Sequence, residues 1–398
     1  MSPRQQPVNF QGIQVPSAII DLPGFYAGTR RQRIPLVTNR TWSGLGSTDS
    51  IAIRRTGILA NLHVTVTGDL VTAAAQPAGV TFRWPYDLLR NCKFSANGQA
   101  NLVSMSGRNL KFRELANENA LDDRGVSRNF GGSTITSGSL SLDSDAWGAA
   151  PGVQTAASTT QSFELSFKVP VAYDDKSLIG AVFAQTTASD LQLDLSWANT
   201  SDLFVTTGGN FVPALNNVKF SVSAEVYTIP LAPDGSPIVP DLRMFHQLTQ
   251  VSPVEQPGVG DNEFTLSGQT PGRQLMRVWF TTWNPVSLFS TNVPKPLAIN
   301  STNYGEIGWK FGGNDTPEVF QGLELARLSE RIYNSNVGKY HGIACLDFAS
   351  KFAMRDSIDL GAASELRLTM QLLSGASLTS PTKVEYVQEL MLASTVGV

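Results

Sequence analysis

Apolar side chains recur at every second position through most of the chain. Ile58, Ala60, Leu62, Val64 and Val66 alternate with polar or small residues, as do Phe163, Leu165, Phe167 and Val169, and then Leu191, Leu193, Leu195 and Trp197. Val218, Phe220, Val222 and Val226 close the first half. The second half repeats the style with Met276, Val278 and Phe280, with Ile307, Trp309 and Phe311, with Leu366, Leu368, Met370 and Leu372, and with Val384 and Tyr386. Successive side chains of a strand point to opposite faces, so each run predicts a strand with one buried face. Many short runs of this kind, separated by Gly and Pro, predict antiparallel sheets packed as sandwiches.

Breaks in the pattern divide the chain. Pro230, Pro233, Pro237 and Pro240 each fix φ and remove a ladder donor, so residues 229–240 cannot form a central strand. The reading is an N-terminal arm over 1–16, a first sandwich over 17–228, a Pro-rich linker over 229–240 and a second sandwich over 241–398. Met1 to Gln14 is proline-punctuated and polar and offers no face to either core, which predicts a free arm. Asp122 to Gln161, rich in Gly, Ser and Thr, predicts a long surface excursion. One long helix is expected over Thr316 to Ile332. Thr316 would cap it, Pro317 would open it, Glu318 would meet the positive end of the dipole, and Phe320, Leu323, Leu328 and Ile332 would form its apolar side. A shorter helical stretch is expected from Pro85 through Leu88, Leu89 and Cys92.

Composition narrows the function. At 398 residues and 41% hydrophobic, the chain has material for two cores. Only 16% of residues are charged, against roughly 25% in an average soluble domain, as befits a surface largely covered by neighbours. A net charge of −3 argues against a main role in holding nucleic acid by its phosphates. Met1 to Leu22 has no continuous apolar segment of the signal-peptide kind. The longest apolar run, about Leu178 to Ala184, falls far short of the ~18 residues of a membrane span. The expected place of synthesis is therefore the cytoplasm of the producing cell. One local asymmetry stands out: Arg30, Arg31 and Arg33, flanked by Arg4 and Arg40, form a candidate contact for an anionic surface such as lipid head groups or a neighbouring subunit.

Reaction chemistry is sparse. Three histidines exist, and although His341 and Cys345 would share a strand face, no third metal ligand lies near in sequence. Cys92 and Cys345 read as buried free thiols. No serine has glycine at both −2 and +2, and Gly338-Lys339 lacks the rest of a phosphate loop. The carboxylate pairs Asp122-Asp123, Asp143/Asp145 and Asp174-Asp175 read as turn formers. No catalytic, cofactor-binding or metal-binding residue is assigned, and no cofactor is expected. The alternative is a double-sandwich carbohydrate-binding protein or glycan hydrolase, with Trp147, Trp279, Trp283 and Trp309 as ring donors and the aspartates as acids.

The stretch Phe163-Glu164-Leu165, Val169-Pro170-Val171-Ala172-Tyr173, Leu178-Ile179-Gly180-Ala181-Val182 and the following Leu191/Leu193/Leu195 strand resembles the first jelly roll of tectivirus major capsid proteins, from phages with a membrane inside an icosahedral shell. Asp87-Leu88-Leu89-Arg90 through Asn97-Gly98-Gln99, the segment from Thr316 to Cys345, and Leu366-Arg367-Leu368 through Glu385 agree in order. The resemblance departs at the N-terminus, where relatives carry a helical segment and this chain has Pro3, Pro7 and Pro16. It implies an all-β double jelly roll with short inserted helices. It also implies a non-enzymatic coat protein of the virion that trimerises into pseudo-hexagonal capsomers. The implied partners are further copies of the chain, vertex and minor capsid proteins, and an internal viral membrane met through the N-terminal region.

Overall fold

The alternating runs form strands whose apolar positions align across neighbours. In the computed structural model, Leu165, Phe167 and Val169 pair with Val66, Val64 and Leu62, which pair in turn with Phe220, Val222 and Ala224. All nine side chains are buried in one cluster. The structure describes residues 8–10, 13–15, 17–72, 78–118, 153–154, 159–185, 190–206, 213–251, 257–266, 272–288, 291–311, 317–333, 342–349, 357–361 and 365–393.

Three larger sheets, beside three small ones of two or three strands, are present among the described residues. A five-stranded sheet runs in the order Thr159–Pro170, Ile58–Thr72, Ala214–Tyr227, Arg31–Thr41, with Val182–Phe183 also paired to Ile58–Thr72. A four-stranded sheet runs Gly260–Thr265, Leu366–Leu372, Tyr304–Phe311, Glu318–Gln321. Between them lies a ten-stranded sheet. Its main path is Thr291–Pro296, Arg273–Leu288, Lys383–Ala393, Met244–Val251, Gln99–Met105, Leu89–Ala96, Leu191–Trp197, Thr48–Ala52, and Ile343–Asp347 and Ile358–Asp359 pair with Arg273–Leu288. The five-stranded sheet packs with central-sheet strands of the first half of the chain in one core, which also takes Phe245, Leu248, Trp279 and Val387 from the second half, and the four-stranded sheet packs with central-sheet strands of the second half in another. The central sheet passes from one half to the other through a short parallel ladder, Leu248 opposite Val103 and Thr249 opposite Ser104.

Among the described residues four α-helices decorate these layers: α1 (Leu22–Gly28), α2 (Gly107–Glu118), α3 (Thr200–Leu203) and α4 (Gly322–Tyr333). Several sequence expectations are corrected here. The segment read as the start of the long helix is a strand, Glu318–Gln321, paired with Tyr304–Phe311. Gly308 permits the approach, since a Cβ there would meet the Glu318 carbonyl oxygen at 2.5 Å. The helix begins only at Gly322, and its inward side is Leu325, with Ala326 and Ile332 partly buried, whereas Leu323 is 46% exposed. Thr316, the expected cap, lies outside the described residues. The stretch from Pro85 is one short turn, Tyr86–Leu88, leading into the strand that contains Cys92. The arm is not wholly without contacts: Val8–Phe10 pairs with Ile13–Val15, and Val15 is buried in a small cluster with Phe25, Tyr227 and Val239. Residues 119–152, most of the expected surface excursion, lie outside the described residues, whereas Thr159–Gln161 already belong to a long strand.

Candidate functional site: the seam and the arginine-bearing end

The expectation of a chain that works by packing directs attention to what makes its two halves one body and to what that body presents outside. The first depends on α2. Ser106 caps the helix by accepting from the Asn109 amide, and Gly107 is required because a Cβ would meet the Tyr86 carbonyl oxygen at 2.3 Å. Leu110, Phe112 and Ala116 enter the first core. Arg108, Asn109 and Arg113 reach across to the second half. Arg108 donates to Thr281 Oγ1 at 3.2 Å, while the Asn109 amide donates to Gln250 and Glu385 at 3.0 and 3.1 Å and accepts from Trp279 Nε1 at 3.1 Å.

Arg113 ends at Glu389, whose side chain is fully buried. Glu389 Oε1 accepts from Arg113 Nε at 2.8 Å, and Oε2 accepts from Arg277 Nε at 2.6 Å. His246 Nε2 lies 2.9 Å from Oε1. Burial opposes ionisation of Glu389, but the two guanidiniums and the imidazole bond hold it well below the ordinary glutamate range. Burial pushes His246 down, keeping it neutral, and pushes the Tyr173 hydroxyl up. The segment 169–182, whose sequence carried the capsid resemblance, covers this cluster. Arg113 Nη2 donates to the Tyr173 carbonyl at 3.0 Å, the Tyr173 ring stands edge-on to His246 with centroids 5.6 Å apart, and Gly180 at φ +83° leaves no room for a Cβ, which would fall 2.7 Å from His246 Cβ.

At the other end of the seam lies a polar cavity of about 390 Å³ lined by Arg83, Asp87, Arg90, Asn91, Gln250 and Glu385 among others. Arg83 pairs with Asp87 at 3.1 Å and stacks on Trp283 at 4.2 Å, with Arg108 4.7 Å from the same ring. Trp279 and Trp283, considered above as sugar-stacking rings, are thus buried seam residues, and Trp309 is buried in the second core.

The second site is the end where α1, the Pro-rich segment and the start of the edge strand Arg31–Thr41 meet. Ile19–Ile20 pairs in parallel with Ile238–Val239, and the Thr228 amide donates to the Arg30 carbonyl. Arg30, Arg31 and Arg33 follow α1 directly, and exposed Tyr26 of α1, Ile20 and Leu231 belong to the segments that these pairings tie to the same end. Arg31 and Arg33 reach Glu225 only at 4.0 and 3.9 Å with side chains 69% and 61% exposed, and Arg33 Nη2 lies 3.1 Å from His63 Nε2. Arg40 pairs with Asp49 at the far end of the strand, and Arg4 lies outside the described residues.

The other candidates disperse. Asp174 accepts from the amides of Lys176 and Ser177, as a turn former does, and Asp175 accepts from Lys168 and Asn61. Asp122, Asp123, Asp143, Asp145, Trp147 and His341 lie outside the described residues. Cys92 and Cys345 are buried and not in a disulfide. Among the described residues no group of His, Cys, Asp or Glu could hold a metal ion, and no helix is long and apolar enough to cross a membrane.

Two sandwiches sharing one central sheet make this chain a double jelly roll, the class of major capsid proteins. The solved structures it is similar to are of that kind. The coat protein of Sulfolobus Turreted Icosahedral Virus matches with a TM-score of 0.62 at 15% identity, covering 92% of this chain and 97% of that one. The VP54 protein of PBCV-1 matches with a TM-score of 0.53 at 12% identity, covering 93% and 96%. The Faustovirus major capsid protein matches with a TM-score of 0.53 at 9% identity, covering 92% and 90%. No curated protein matches the chain by sequence. A family model, P3 major capsid protein N-terminal, matches residues 26–237, and the chain belongs to that family of structural, non-enzymatic coat proteins.

Proposed function

We propose that the chain is the building block of an icosahedral shell around an internal membrane, assembled as a trimer whose six similar lobes form a pseudo-hexagonal capsomer. The observation that carries this reading is the central sheet, which fuses two sandwiches into one two-lobed body. Three such bodies in closed cyclic symmetry give a near-hexagonal block that tiles a surface with few interface types. The division into lobes falls at residues 229–240. The end bearing Arg30, Arg31, Arg33, Ile20, Tyr26 and Leu231 faces anionic lipid, because it joins largely exposed guanidiniums, two of them only loosely paired with the one carboxylate of Glu225, to exposed apolar side chains. Vertex and minor capsid proteins meet the block at its sides, and the chain is made in the host cytoplasm. Size exclusion with light scattering should report three chains per particle, unchanged by EDTA, and negative-stain images should show hexagonal outlines with three-fold symmetry. A persistent monomer at micromolar concentration overturns the capsomer reading.

A further inference from the structure

We propose that the Glu389 cluster is an acid-labile lock between the two lobes, and that protonation of His246 is what loosens it. The case begins with geometry. His246 has one hydrogen bond, Nε2 to Glu389 Oε1, and its Nδ1 is buried without a partner. A neutral imidazole protonated on Nε2 satisfies this arrangement, since a bare ring nitrogen is a tolerable acceptor. An imidazolium does not, because its second N–H would be a buried donor with nothing to accept it.

Charge points the same way. The groups around His246 come from every element packed on it: Glu389 beside it in the sheet, Arg277 one strand further, Arg113 from α2, Tyr173 from the covering segment, and Asp347 across from Arg277. Asp175 lies farther out on that segment, bonded to Lys168, and Asp241 and Arg243, just before the strand, neutralise each other. Glu389 already serves two guanidiniums, so a proton on His246 adds a third cation to the same carboxylate in a site closed to water. The covering segment cannot relax outward by small steps, because Gly180 sits against His246 and the Tyr173 carbonyl is tied to Arg113. Relief requires the segment and the strand Met244–Val251 to part, and that strand carries the ladder joining the lobes.

The sign follows from linkage. His246 titrates lower in the fold than its ordinary value of 6.5, so below about pH 6.5 the unfolded chain binds a proton that the folded one refuses, and stability falls as pH falls. Glu389 is held well below its ordinary value of 4.5, so its own loss comes only under stronger acid. The interval between about pH 5 and 6.5 isolates the histidine.

The test uses the full chain. Hydrogen exchange, corrected for intrinsic rate, is followed from pH 7.5 to 5. Amides of Met244–Val251 and Lys383–Ala393 should lose protection by up to about tenfold per pH unit, while those of Leu191–Trp197 change less. The melting temperature should fall over the same interval. His246→Phe should flatten both profiles, whereas His63→Gln and His341→Gln should leave them in place. Flat wild-type profiles between pH 7 and 5, an equal loss of protection across all strands, or a profile that persists in a folded His246→Phe chain would each overturn the lock. The wild-type exchange pattern decides the matter even if His246→Phe does not fold.

Discussion

The seam and the arginine-bearing end use the same residue type for opposite purposes. Arg113 and Arg277 are 4% exposed and converge on one carboxylate at 2.8 and 2.6 Å, whereas Arg31 and Arg33 are more than half exposed and hold Glu225 only loosely. A guanidinium taken out of water must be paired, and once paired it fixes geometry. One left in water contributes little to stability and stays available to something outside. Burial, more than residue identity, separates the structural arginines from the exposed ones.

The comparison can be broken most sharply at Glu389. Glu389→Ala strands two buried guanidiniums, and loss of one partner of a buried pair costs about 3–5 kcal/mol, so little soluble protein should survive a thermal melt unchanged. Leu325→Asp should be nearly as damaging, by several kcal/mol for an unpaired buried charge, while Leu323→Asp, two residues away but 46% exposed, should stay within about 0.5 kcal/mol of the parent in urea unfolding. Gly180→Ala should destabilise by about 1–3 kcal/mol, with the loss traced by thermal melting, because φ is +83° and His246 occupies the space of the new methyl. The smallest effect on stability belongs to the other region. Arg31→Ala with Arg33→Ala should shift unfolding by less than about 1 kcal/mol, yet it should weaken sedimentation with phosphatidylglycerol vesicles at low salt. Unchanged vesicle binding would remove the lipid-facing assignment without touching the fold.

The sandwich architecture was legible because half-buried strands repeat every two residues, and Leu165 or Val64 needs no tertiary information to show its face. Helix α2 was not. Its outer side, Arg108, Asn109 and Arg113, is as buried as its apolar side, so no amphipathic stripe marks it. The same holds for the lock: Arg113 lies 276 residues from Glu389 and His246 lies 143 from it, distances over which sequence spacing says nothing. Local signals also misled. Thr316, Pro317 and Glu318 read as a helix start, but pairing of Glu318–Gln321 with the strand that holds Gly308 drew the segment into the sheet, and the helix begins only at Gly322. Pro23, which the sequence reading did not use, sits in the first turn of α1, where a missing N–H costs nothing. The Arg30–Arg33 cluster was visible as charge, whereas its apolar neighbours, brought from residues 20 and 231, were not.

The ladder between Gln99–Met105 and Met244–Val251 has a mechanical consequence. Pulling the lobes apart within the plane of the sheet loads its few hydrogen bonds along their own direction, so they open one after another like a zip. Parallel pairing is slightly the weaker kind. The cross-links from α2 to Thr281, Gln250, Glu385 and Glu389 join the same two halves outside that ladder and share the same pull. A shell swollen from within would therefore pass part of its tension through this helix, acting as a tie rod across each block.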